Sequence, residues 1–125
     1  MNIVVILLGG ATVLAFDTIG SFASLRFRFP YSRLMFGSFA IYFVVGFVTA
    51  TSGSVTSAAV TGAVVGLVES TVGWAISWWI GPGRPADYPA TGSRIVRTVV
   101  FVMILGALFG ALGGSLRLFP LRQAA

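Results

Sequence analysis

Gly62–Ser77, GAVVGLVESTVGWAIS, is an apolar run with a single acid, Glu69, near its middle. Gly62, Gly66, Glu69, Gly73 and Ser77 recur at intervals of three or four, so in a helix they share one face. The stretch belongs to a longer apolar block, Val55–Ile80, which is long enough to cross a bilayer. A carboxylate inside such a block is costly unless something polar faces it. The other apolar blocks of the chain are the elements available to do so.

Composition supports a membrane reading. Of 125 residues, 57% are hydrophobic and only 9% charged, and the mean hydropathy is +0.98. Soluble domains carry about a quarter charged residues, so these charges could not cover a water-facing surface. The expected architecture is an all-α integral membrane protein with four transmembrane helices. It forms one domain over residues 1–125.

Four blocks stand out. Ile3–Leu25 is the first; it lacks a positive leading segment and runs past Asp17 to a spanning length, so it reads as an uncleaved helix. Leu34–Ala50 is the second and carries no charge. Val55–Ile80 is the third, closed by Trp74, Trp78 and Trp79 and then Gly81-Pro82. Ile95–Leu116 is the fourth, with Gly106, Gly110 and Gly114 at every fourth residue. All five prolines fall outside these blocks, as expected if they mark helix ends. RFRFPYSR joins the first two, TSGS the middle two, and GPGRPADYPATGS the last two. The tail RLFPLRQAA is expected to be loose.

Cys and His are both absent, so disulfides, thiol chemistry and His-based acid–base catalysis are excluded. No P-loop, GxSxG or HExxH pattern occurs. We therefore expect no enzyme, no cofactor and no metal centre. All eight basic residues are arginines, most of them on or beside short connections, and they give the net charge of +5, which suits topology and anionic lipid and offers no nucleic-acid surface. Arg26, Arg28 and Arg33 lie on the first connection, and Arg84, Arg94 and Arg97 on or beside the third. Positive residues favour the cytoplasm, so both termini are expected outside, most simply in a bacterial cytoplasmic membrane. Arg117 and Arg122 oppose this assignment.

An internal match points to duplication. At an offset of 52, GATVLAFDTIGSFA (Gly10–Ala23) overlays GAVVGLVESTVGWA (Gly62–Ala75). Asp17 meets Glu69, Thr18 meets Ser70, and Phe22 meets Trp74. Repeat 1 would cover about 1–52 and repeat 2 about 53–125 as two-helix hairpins. Copied pairs of spans keep their orientation, so the repeats would be parallel and related by an axis along the membrane normal. That axis would bring Asp17 and Glu69 to matching depths.

The candidate chemistry follows. Asp17 and Glu69, each followed by a hydroxyl in Thr18 and Ser70, are the candidate cation- or proton-binding residues. Two close carboxylates share a proton, and such a pair can exchange it for another cation. The alternative is that each acid only fixes packing, with Arg97 a candidate partner for Glu69. Gly62, Gly66, Gly73, Gly106, Gly110 and Gly114 are candidate helix-packing positions, within the bundle or between subunits. Two functions follow from these readings: a small proton- or cation-coupled transporter or channel-like protein, or a non-catalytic accessory subunit of a larger membrane complex. Partners are the bilayer and, for so small a bundle, further copies or a larger complex.

Overall fold

The computed structural model describes residues 3–50, 54–82 and 92–124, with side chains described as far as Phe119. All described elements are helical. Helix α1 is Ile3–Phe27. A 3₁₀ turn, Tyr31–Arg33, leads into α2, Leu34–Thr49. The third span is α3 (Val55–Val68), a π-helical turn (Glu69–Gly73) and α4 (Trp74–Ile80) in one continuous rod. Helix α5 is Gly92–Ala124. The four rods, Ile3–Phe27, Tyr31–Thr49, Val55–Ile80 and Gly92–Phe119, are each long and apolar enough to span a membrane.

Local chemistry sets the ends. Helix α1 stops where Arg28 turns to φ 57°, and Ser24 Oγ donates back to the Phe29 carbonyl at 2.7 Å. Ser54 caps α3 by accepting the Ser57 N–H at 3.1 Å, leaving one fewer orphan donor at that terminus. Gly81, at φ 130°, ends α4 as only glycine does readily. Two expectations are corrected. Gly92, Ser93 and Arg94 belong to α5 instead of the preceding loop. The tail is not loose: α5 runs through Pro120 to Ala124. Proline in a helix costs one N–H bond and crowds the preceding turn, and here it does not end the rod. The rest of the expected loop, with Arg84 and Asp87, lies outside the described residues.

The bundle is organised the opposite way from a soluble domain. Its outer surface shows Leu7, Leu8, Ile19, Phe22, Phe36 and Phe101, among others. Its interior holds Asp17, Ser21, Ser38, Thr61, Glu69 and Ser77 beside a small apolar core of Val13, Tyr42, Val45 and Val65. In lipid the apolar side chains have no reason to turn inward, and association comes from close packing and polar contacts.

Glycine supplies the close packing. A Cβ on Gly46 would strike the Gly110 carbonyl, one on Gly62 the Gly106 carbonyl, and one on Gly113 the Phe43 carbonyl. Gly66 lies against Val102, and Gly114 against Ala58 and Ala50. So α5 presses its backbone onto both α2 and α3. The glycine ridge Gly106–Gly114 is therefore used inside the bundle.

Candidate functional site

Glu69 begins the π-helical turn and is buried. A π turn carries about one residue more per turn than an α-helix and is frequent at functional sites. Here it lets two neighbours, Glu69 and Ser70, both face the same cavity. Ser38 and Tyr42, one turn apart on α2, each donate a hydroxyl hydrogen bond to Glu69, Ser38 to Oε1 and Tyr42 to Oε2. Each carboxylate oxygen thus has its own donor, which is how a buried charge is made tolerable.

Asp17 comes from α1, about 15 Å along the helix from Phe27. Its side chain is 2% exposed. The Asp17 and Glu69 carboxyls are near neighbours on the wall of one cavity. Oδ2 of Asp17 is buried and receives no hydrogen bond from any donor among the described residues. The space it occupies exists because residue 73 is glycine, where a Cβ would run into that oxygen. The two acids therefore differ: one is fully served by hydroxyls and the other is not.

More hydroxyls complete the ring. Ser21 on α1 and Ser77 on α4 are hydrogen-bonded to each other at 3.1 Å. The Tyr31 hydroxyl stands near Ser77 and Asp17. Asp17, Tyr31, Ser38, Tyr42, Glu69 and Ser70 line a cavity of ≈ 330 Å³, together with the rings of Trp74, Phe39 and Phe101. Arg94, at the start of α5, lines it too.

The expected site residues divide as follows. Asp17, Glu69 and Ser70 come together at the cavity. Thr18 does not line it; its hydroxyl donates to the Leu14 carbonyl of its own helix at 2.8 Å. One step past Asp17 is about 100° round the helix, which turns Thr18 away. Arg97, expected as a partner for Glu69, is exposed and donates to the Ser93 carbonyl. Arg94, one turn earlier, is the arginine on the cavity wall. Arg26, Arg28 and Arg33 are exposed at the end of α1 and the start of α2. Ser38, Tyr42 and Tyr31 were not singled out from the sequence, and Ser77 was read only as sharing the helical face of Glu69. Ser38 and Tyr42 sit four apart in an otherwise apolar span, and that spacing was the available signal.

Comparison of the chain with protein-family models, with curated proteins and with solved structures finds no match, so the reading of this site rests on its own geometry.

Proposed function

We propose that this is a small membrane transporter or channel-like protein that moves a cation or a proton through the Asp17–Glu69 site. The observation that carries the reading is the meeting of two buried carboxyls from different spans at one cavity, one of them with an oxygen that no donor serves. Intramembrane acids are rare and costly, and those that persist commonly lie on ion or proton paths. Two acids sharing one proton can release it when a cation arrives and regain it when the cation leaves. Among the described residues, the charged and titratable groups around that exchange are Asp17 on α1, Tyr31 before α2 and Tyr42 within it, Glu69 in the third span, and Arg94 on α5.

The meeting of Asp17 with Glu69 also supports the proposal that two hairpins arose by duplication, because the 52-residue offset pairs the same two acids. We place the arginine-bearing ends in the cytoplasm and both termini outside, in a bacterial cytoplasmic membrane.

The test is flux in reconstituted vesicles under an imposed pH or cation gradient. Asp17→Asn and Glu69→Gln should each abolish flux while the purified proteins keep wild-type helicity and size. Wild-type flux in both variants ends the transport reading.

A second reading, an accessory or assembly subunit, has one observation in its favour. Val96, Val100, Ile104, Leu108, Leu112 and Leu116 recur every four residues as an exposed aliphatic row on α5. Such a row can pack on another copy or on a larger membrane partner. Gentle extraction followed by weighing the complex separates these cases: a stoichiometric larger partner favours the subunit, and a self-only oligomer favours transport.

A further inference from the structure

The cavity is lined by two kinds of chemistry: the carboxyls and hydroxyls already described, and carbon, including the rings of Trp74, Tyr31, Phe39 and Phe101. We infer that the cation accepted at this cavity is an organic monocation with an apolar body, a substituted ammonium being the simplest case. This rests on the transport reading above and names its substrate class.

Three observations converge. First, ≈ 330 Å³ is far more room than a bare inorganic ion fills and lies within the range of small-molecule sites. Second, an alkali or divalent ion stripped of water needs a shell of oxygens, whereas most of this wall is apolar and aromatic. A weakly hydrated organic cation gains from aromatic faces instead. Third, the charges match. Two acids that hold one proton between them can take one positive charge in its place. Arg94 disfavours a second.

The location agrees with an apolar body. The glycine contacts pin α2 to α5 at Gly46–Gly110 and Gly113–Phe43. Phe39 stacks on Phe109 at 4.4 Å between their centroids. Beyond that stack the cavity lies between the two helices, where Met35 and Phe101 on its wall are also exposed on the bundle surface. A cation that partitions into the bilayer can reach the acids by this side.

The experiment is calorimetric titration of the full chain in lipid nanodiscs with benzyltrimethylammonium, with sodium and the dication hexamethonium as comparators. Saturable binding of benzyltrimethylammonium is expected. Trp74→Leu should weaken it about tenfold, and Glu69→Gln about a hundredfold. Trp79→Leu, at an 84% exposed ring away from the cavity, should leave it unchanged. Arg94→Gln should raise the affinity for hexamethonium relative to benzyltrimethylammonium about tenfold. If Glu69→Gln does not fold, Trp74→Leu and Arg94→Gln carry the test. Sodium binding without benzyltrimethylammonium binding, or equal effects of the two tryptophan variants, overturns the substrate class and leaves the transport reading standing. Unchanged flux in Asp17→Asn and Glu69→Gln overturns the transport reading itself, whatever the titration gives.

Discussion

Toward Ala50 and Ala58, helices α2, α3 and α5 meet backbone to backbone; toward Trp74 and Arg94, α1, α2, the π turn, α4 and α5 hold a cavity between them. The first half uses Gly46, Gly62, Gly106, Gly110 and Gly113 to remove side chains from the contact. The second fills the same positions along the rods with Ser38, Tyr42, Glu69, Trp74 and Phe101. Without a hydrophobic effect to drive helices together in lipid, close approach must be built from small residues. The contrast shows how a chain of this size affords a polar interior at all: one half holds the rods, so the other need not close.

The sharpest way to break this comparison is Gly46→Leu. Its side chain would have to occupy the position of the Gly110 carbonyl. Overpacking of this kind should cost about 3 kcal/mol, read as a large drop in the melting temperature in detergent. A variant as stable as wild type would mean that the sealed half is not what holds the bundle.

Tyr42→Phe comes next and tests the open half. It takes one donor from Glu69 while leaving the ring in the core. A loss of about 1–3 kcal/mol is expected, together with reduced flux. Reduced stability without any change in flux would make Tyr42 a packing residue only.

Gly73→Ala should separate stability from activity. The added Cβ meets the far end of the Asp17 side chain, not backbone, so the fold can give way for about 1 kcal/mol. Asp17 would be displaced from Glu69, and flux should fall by more than stability does. Equal retention of both would show that the placement of Asp17 is not critical.

The smallest effect is expected at the sealed half's surface. Arg117 lies over the Phe47 ring, 5.0 Å from its centroid. Arg117→Gln should cost about 0.5–1 kcal/mol and leave flux untouched. A flux change there would mean that the two halves are coupled.

Much of the architecture was legible in advance because membrane spans are announced by length and hydropathy. Val55–Ile80 was read with the boundaries it has, and the other three spans within a few residues. Asp17 and Glu69 were legible for the related reason that charge inside such a block is expensive. The continuation of α5 through Pro120 was not, since proline argues for a boundary on local grounds alone. The choice of Arg94 over Arg97 was also hidden, because it depends on the rotation of α5 against its neighbours. The π turn had no local signal: Glu69–Gly73 is compatible with an ordinary helix, and its widening is set by what packs on either side.

Helix number, span boundaries and the presence of two acids within the spans follow from the residues alone, because a bilayer permits only internally hydrogen-bonded rods and penalises charge. Which groups serve those acids was decided by the tertiary structure. Ser38 and Tyr42 reach Glu69 from another rod, while Oδ2 of Asp17 faces Gly73 without a donor. Those contacts depend on how four nearly cylindrical, apolar helices rotate about their own axes, and that rotation is set jointly by the glycine contacts and the polar bonds between them.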